Sequence, residues 1–346
     1  MELLKKKGLI ERTMRRGNGK HQERVAVRGE FGYVAGVDIG GTNLRVVVAD
    51  MSGAIVGKWC GSTVEASAPG KIVQLVQTGV KQVLRQAGLR QGSLLGIAAG
   101  APGVTDSKKG VVLLTSYLGG WKNVPLGKLL EESLGVPAAV ENDVRLGAMG
   151  ERWRGSAQGR SDFVFLAIGT GIAAGIYANG ELLRGPDFAA GEVGYLMVPG
   201  TAEAAAREGM PGALESAIGG EGIRQQWQQS TERMYGEALN DLSATDIFER
   251  ALTGDGRAEA VLNRAAQMLA YAVYNMSVVL NCSLFILGGG VGMSPILRDA
   301  AQRVLERFTE PARPKMCLSS LGQDAQLIGA LRLALDLAER RAGIRS

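Results

Sequence analysis

The spacing of apolar positions changes several times along the 346-residue chain, and each change marks an element. From residue 33, YVAGVDI, LRVVVAD and a third apolar stretch predict strands at 33–39, 44–51 and 54–63. Ser52-Gly53 supplies turn chemistry between the second and third. The period then lengthens. Ile72, Leu75, Val76, Val80, Val83 and Leu84 share one face of a helix predicted at 70–88, with Gly88 as its C-cap. A buried-looking strand LLGIAAGAPG follows, then GVVLL, an amphipathic helix at 126–134, the strand PAAVEND and a helix from about 144.

At this point the pattern restarts. DFVFLAIGTGIAAGIYANGELL reads as strand, glycine corner, strand, Asn179-Gly180 hairpin turn and strand. It repeats YVAGVDIGGTNLRVVVADMSGAIV part for part. Helices are predicted at 213–228, 245–253 and 257–280. The strand SLFILGGGVG, a helix at 295–308, a strand near KMCLSS and a helix at 325–342 complete the chain. The echo predicts an α/β protein of two domains built on one duplicated unit, with a cleft between them.

Composition narrows the chemistry. A chain that is 46% hydrophobic and 21% charged is ordinary for a globular protein. Cys60, Cys282 and Cys317 are far apart and odd in number, so they form neither a disulfide framework nor a zinc knuckle, and a cytoplasmic location is expected. No apolar run approaches a bilayer span, and MELLKKKGLI lacks the apolar centre of a signal peptide, so no membrane partner is expected. The single histidine, His21, lies in the N-terminal tail. That excludes a Ser-His-Asp triad or a multi-histidine metal site in the body, and leaves proton chemistry to carboxylates, Lys, Tyr or Cys. Residues 1–30 hold nine Lys/Arg and four Glu, whereas the rest has thirty charges of each sign, so the basic excess belongs to the tail alone.

Three glycine-rich corners follow strands: Gly40-Gly41-Thr42, Gly169-Thr170-Gly171 and Gly288-Gly289-Gly290. Glycine lets backbone N–H groups approach an anion, and a Thr hydroxyl adds a donor; each corner also reads as a simple tight turn. No GxxxxGK followed by Ser or Thr occurs, which excludes a P-loop. GTGIAA at 169–174 fits the GxGxxA form of a dinucleotide fingerprint, but that motif must open a helix, and IAAGIYANGELL alternates into a hairpin turn. VENDVRLGAMGERW puts Glu141, Asn142 and Asp143 where a strand gives way to a helix. Asp143 is then either an N-cap or a general base that takes a proton from a hydroxyl attacking a γ-phosphate.

In order, DIGGT, the APG at 101–103, GWKNVPLGKLLEE, END, AIGTGI, GEVGY, GALE and GGGV resemble the ROK family (repressors, open reading frames and sugar kinases) within the actin/Hsp70/hexokinase superfamily. The resemblance runs from about residue 33 to the C-terminus. It implies duplicated actin-like (ribonuclease H-like) ATPase domains with an interdomain cleft: a lobe of 33–138 plus 325–346, a lobe of 139–324, and a basic extension at 1–32. The implied activity is that of a glucokinase-like sugar kinase, moving the γ-phosphoryl of ATP to a hexose hydroxyl with Mg2+ as the metal, in a homodimer. Gly40, Gly41 and Thr42 would hold ATP phosphate with Asp38 indirectly on Mg2+. Gly169, Thr170 and Gly171 would form the second phosphate corner, and Gly288, Gly289 and Gly290 would pass under adenosine. Asp143 would be the base and Asn142 would lie beside it on the sugar, with Glu192 and Glu215 accepting from sugar hydroxyls.

Three departures fall on the sugar side. Tyr195 in GEVGY replaces a histidine that touches sugar and zinc in the family. AAREGMPGALE lacks the cysteines of the family's CxCGxxGC, so no structural zinc is expected. Tyr117 in TSYLGGW stands where a sugar-binding Asn is expected. The phosphate machinery is whole, and two tyrosines rebuild the sugar pocket. The tail, LLKKKGLIERTMRRGNGKHQERVAVRGE, resembles the end of the winged helix in ROK repressors, where GLIE closes a helix and a basic hairpin forms the wing. Recognition helices are not in this sequence, so specific DNA binding by the chain alone is not expected, and any phosphate attraction should fall with salt. The alternative function is a sugar-sensing ROK-type regulator lacking most of its DNA-binding domain.

Overall fold

The computed structural model describes residues 10–17, 20–27, 29–64, 66–115, 118–201, 211–235, 242–308 and 314–343. Strands β1 (Ile10–Gly17) and β2 (Lys20–Val27) form an antiparallel hairpin, paired from Ile10↔Val27 to Gly17↔Lys20. The chain then divides into two compact units, Met1–Gly150 with Gln326–Ser346 and Glu151–Ala325.

In the first unit, β3 (Tyr33–Ile39) pairs antiparallel with β4 (Asn43–Asp50), and β4 pairs antiparallel with β5 (Ile55–Ser62). On its other side β3 runs parallel to β6 (Leu94–Ala101). Strands β7 (Val104–Asp106), β8 (Val111–Leu114) and β9 (Lys122–Val124) make a separate small sheet, which takes in the GVVLL run. β10 (Ala138–Asn142) then returns parallel to β6, giving the order β10-β6-β3-β4-β5.

The second unit repeats this path. β11 (Phe163–Ile168) pairs antiparallel with β12 (Ile172–Ala178), which pairs antiparallel with β13 (Glu181–Leu182). β11 is parallel to β14 (Leu284–Gly288), and β14 to β15 (Lys315–Leu318). The order β13-β12-β11-β14-β15 is that of the first sheet, strand for strand. The duplicated α/β architecture expected from the sequence is therefore present. The Asn179-Gly180 turn joins β12 to β13 with both residues left-handed, at φ 52° and 79°, as a two-residue hairpin turn requires.

Side-chain alternation sorts each strand's residues between two faces. In the first sheet Ala35, Val37 and Ile39, with Ile97 and Ala99, enter the core that holds Ile72, Val76 and Val80 of the Pro69–Gln86 helix. In the second unit, Val164, Leu166 and Ile168 pack with Leu269, Val273 and Met276 of the Gly256–Leu280 helix. Each large side chain so buried contributes about 1.5–3 kcal/mol. On the opposite face of the first sheet Gly36, Gly96, Ala98 and Gly100 leave room for a helix. There the Ala325–Arg341 helix comes close enough that a Cβ on Gly36 would lie 2.8 Å from the Leu331 nitrogen. Gly329 in that helix meets the Leu146 carbonyl of the Asp143–Arg154 helix so closely that a methyl group would overlap it.

Three expectations are corrected. The boundary falls at Gly150/Glu151, past the expected 138/139, because Ala138–Asn142 completes the first sheet and Leu146 packs against Gly100 and Gly329. The helix expected at 213–228 is two, Ala213–Ile218 and Gly220–Tyr235, interrupted where Gly219 is extended at ψ 161°. The helix expected to reach 308 ends at Leu305.

Gly329→Ala should lower the folding free energy by about 3 kcal/mol, since neither backbone at the contact can yield without moving a helix. Urea denaturation reads this directly, and an unchanged midpoint would refute the close packing.

Candidate active site

Parallel pairing places Asp38 of β3 opposite Gly100 of β6, and Gly100 opposite Glu141 of β10. The carboxyl ends of parallel strands are where open α/β sheets present ligands. Asp38, 9% exposed, accepts hydrogen bonds at Oδ2 from Arg45 Nη2 (2.6 Å) and Nε (3.1 Å), its cross-strand neighbour on β4. The corner Gly40-Gly41-Thr42 is tied back by Thr63, a buried residue just past β5. Thr63 Oγ1 donates to the Gly40 carbonyl (2.9 Å) and Thr63 N to the Thr42 carbonyl (3.0 Å). With those carbonyls engaged, Gly41 and Thr42 form the exposed side of the corner. Sequence reading missed Thr63. Its only signal is a β-branched hydroxyl at the end of the third strand.

The END turn resolves which residue caps the helix. Asn142 Oδ1 accepts from Arg145 N (3.0 Å), so Asn142 is the cap and Asp143 is the first helical residue. Asn142 Nδ2 donates to the Gly103 carbonyl (3.0 Å) and to Asp143 Oδ1 (3.2 Å), which also accepts from Val144 N (2.8 Å). The half-buried Asp143 carboxylate is thus oriented by a side-chain amide and a backbone N–H. Beneath it, Glu141 and Arg145 form a buried ion pair at 3.2 Å.

In the second unit the Gly169-Thr170-Gly171 corner closes on itself through Gly169 N to the Gly171 carbonyl (2.9 Å). β14 runs beside β11, so the 288–290 turn stands next to this corner; a Cβ on Gly169 would be 3.9 Å from the Gly290 nitrogen. Gly289 needs to be glycine there: its φ is +78°, and the Ile168 carbonyl occupies the place of a side chain. The structure adds Gly219 and Gly220 to this group. Gly220 N donates to the Gly169 carbonyl (2.8 Å) at the start of the Gly220–Tyr235 helix. The only sequence signal for them was the run GGEG, read as helix interior.

Glu215 and the segment that carries Glu192 both meet β12 near Ile172, the residue after that corner. Ala174 N donates to the Gly191 carbonyl (2.7 Å), which ties GEVGY to β12. One helical turn, Val193–Tyr195, follows Glu192 and lies against Gly212, where a Cβ would be 2.6 Å from the Tyr195 nitrogen. Glu215 Oε2 accepts from Ile172 N (2.8 Å). Burial pushes the Glu215 carboxyl up, and the Ile172 bond offsets only part of that rise. Tyr195 is 61% exposed. Tyr117, and residues 202–210 within the stretch where family cysteines would fall, lie outside the described residues. Among the described residues no helix is long and apolar enough to cross a membrane, and no group of three His, Cys, Asp or Glu is placed to hold a metal ion.

Each unit therefore carries a backbone corner suited to an anion and oriented acids suited to hydroxyl groups. A profile of the ROK family matches residues 34–337. The glucokinase of Halalkalibacterium halodurans is 30% identical over 310 residues, 86% of this chain and 93% of that protein. A ROK family glucokinase from Streptomyces griseus, solved with glucose and AMPPNP, is 26% identical with a TM-score of 0.74, covering 88% of this chain and 100% of that one. A ROK family transcriptional regulator, a homologue of the E. coli MLC protein, shares the fold at 20% identity with a TM-score of 0.81, over 97% of this chain and 86% of that one. The family match begins at the second residue of β3, ends within the last helix and takes in every site residue placed above, and the chain belongs to the ROK family.

Proposed function

We propose that this protein is an ATP-dependent sugar kinase that transfers the γ-phosphoryl group to a hexose hydroxyl. The observation that carries the reading is Asp143: Asn142 takes over the capping role, and the carboxylate is held at the strand-to-helix turn by two donors. Asp143 takes the proton from the attacking hydroxyl, in a body that has no histidine to do so. Glu192 and Glu215 hold sugar hydroxyls; Asn142, whose Nδ2 is taken up by Gly103 and Asp143, offers them the second lone pair of Oδ1, and Tyr117 and Tyr195 shape the sugar pocket. Phosphate is held at the Gly40–Thr42 and Gly169–Gly171 corners by donors other than the Gly40 and Gly169 N–H groups, which bond the Asn43 and Gly171 carbonyls within the corners, and the 288–290 glycines lie under adenosine. Mg2+ arrives with the nucleotide; it favours phosphate oxygens, water and one or two carboxylates. Asp38, with Oδ2 engaged by Arg45, suits an indirect role beside it. The similarity to a glucokinase over 86% of the chain, and to one solved with glucose and AMPPNP, supports both substrates.

A second reading, a sugar-sensing regulator, draws on the β1–β2 hairpin, which precedes the ROK match and carries basic residues on both strands. It keeps the sugar half and drops transfer. A coupled ADP-release assay against glucose, mannose, fructose, N-acetyl sugars and xylose separates the two. The kinase reading expects sugar-dependent turnover that falls by about 10²–10⁴-fold in Asp143→Asn, with ATP and sugar affinities nearly retained. No turnover with any sugar, while sugars still raise the thermal midpoint, would favour the sensor.

The elevated Glu215 pKa sets a pH dependence. The ionised carboxylate is the acceptor for sugar hydroxyls, so KM for sugar should rise as pH falls through a value above that of an ordinary glutamate. Glu215→Gln should remove this acidic limb. For folding the sign is opposite: a raised carboxyl favours the native state at low pH, and that contribution is lost as pH rises through the folded pKa. A KM profile identical in the mutant would exclude Glu215 from the sugar.

With Tyr195 in place of the family's histidine and no cysteine in 205–215, metal analysis of the purified protein should find no stoichiometric zinc. One zinc per chain would contradict this account of the sugar side.

A further inference from the structure

The turn that carries Asp143 is built on a charged pair in a place where charge is expensive. Glu141 is 1% exposed and Arg145 2%. A buried ion pair is seldom a gain over apolar residues of the same size, because both groups lose their hydration. What the pair does locally is therefore informative. In a capping box, the third helical residue is a Glu or Gln whose side chain accepts from the backbone N–H of the cap. Here the cap is Asn142 and the third helical residue is Arg145, a cation that has no acceptor to offer. Glu141, on the other side of the cap, supplies it: Glu141 Oε1 accepts from Asn142 N at 3.0 Å. The same oxygen accepts from Arg145 Nη1 at 3.2 Å, so the arginine holds the acceptor instead of being it.

The arrangement fixes Asn142 from both ends. Its backbone N–H is held by Glu141, and its Oδ1 by the Arg145 backbone N–H. With Oδ1 so engaged, Nδ2 must face the other way, toward the Gly103 carbonyl and Asp143 Oδ1. We propose that Glu141 and Arg145 are positioning residues for phosphoryl transfer. The Glu141 carboxylate, held by Arg145, locks Asn142, and Asn142 in turn sets the direction of the Asp143 carboxylate. This rests on the reading of Asp143 as the base. The acceptor oxygen at position 141 is what matters, and the charges keep it in place.

Two double variants test this without leaving a lone buried charge. Glu141→Leu/Arg145→Met removes the acceptor, and Glu141→Gln/Arg145→Met keeps an amide oxygen in its position. The first should lower kcat by about tenfold or more with KM for ATP unchanged, and the second should restore most of that loss, since misaimed acid–base groups lose rate and not binding. The Asn142 side-chain amide resonance, followed by 15N NMR, should shift in the Leu/Met form and return in the Gln/Met form, whether or not the protein turns over. Parental kcat and an unmoved resonance in a folded Leu/Met variant would overturn the proposal. So would a folded Gln/Met variant as slow as the loss of Asp143 itself, and this arm decides the matter if Leu/Met does not fold. Parental protein and Asp143→Asn run alongside: no sugar-dependent turnover in the parent, with the resonance behaving as described, would sink the kinase reading and leave the positioning geometry standing.

Discussion

Asp38, Gly100 and Glu141 lie in one row across β3, β6 and β10, and the polar chemistry of the first unit depends on that register. Side chains alternate between faces along a strand, so a slip of one residue would send Asp38 into the core beside Ile97 and Ala99, and bring Val37 or Ile39 out in its place. The apolar row Ala35, Val37 and Ile39 is what forbids the slip. Core packing thus fixes where a carboxylate stands at the strand end. Gly100 makes the row possible: a Cβ there would lie 2.8 Å from Leu146 Cδ1 and 3.4 Å from the Asp143 Cα. A larger residue in the middle of the row would push away the helix that begins at Asp143.

The second unit uses the same strand path for a different balance of forces. Its glycine corner is held by one backbone bond, Gly220 N to the Gly169 carbonyl, and by one side-chain acceptor, Glu215 Oε2, for Ile172 N. Glu215 sits in the six-residue helix Ala213–Ile218, and the two glycines that join it to the next helix touch the same corner. The acid proposed to meet a sugar hydroxyl is therefore bonded to the residue next to the corner proposed to hold phosphate. Such a carboxylate is less hydrated than a surface one, which is why its pKa is raised.

Features that depend on local pattern were legible in the sequence. Period changes located β3 at 33–39 and the Leu126–Leu134 helix, and the echo of one glycine corner in another announced the repeated sheet. The features it hid depend on partners distant in sequence or on a role reversal nearby. Thr63 is a site residue only because it reaches the Gly40 carbonyl, 23 positions earlier. Gly219-Gly220 looked like a tolerated interruption of one helix until the Gly169 carbonyl appeared opposite. Nothing local marks Arg145 as buried, yet it is, and of the two readings open for Asp143 the cap belongs to Asn142 instead. The boundary shifted for a similar reason. β10 belongs to the sheet it pairs with, which no property of PAAVEND reveals.

Charge compensation is what lets an acid stand beside a phosphate corner at all. Outside the first thirty residues the chain has thirty charges of each sign, so no net field of the body draws a polyphosphate in. The excess on the β1–β2 hairpin acts over about 8 Å at physiological salt, and it is not a substitute for local balance. At the first corner that balance is Arg45, which donates twice to Asp38 and offsets a carboxylate that would repel the phosphate proposed to bind there. Under Asp143 it is Arg145, which pairs with Glu141, so that Asp143 does not stand above an uncompensated carboxylate. The base proposed at Asp143 must be ionised to take a proton, and an uncompensated anion two positions away would work against that. Arg145 thus serves an acid that it does not bind, and that gives a buried ion pair of little stabilising value a place in the proposed reaction.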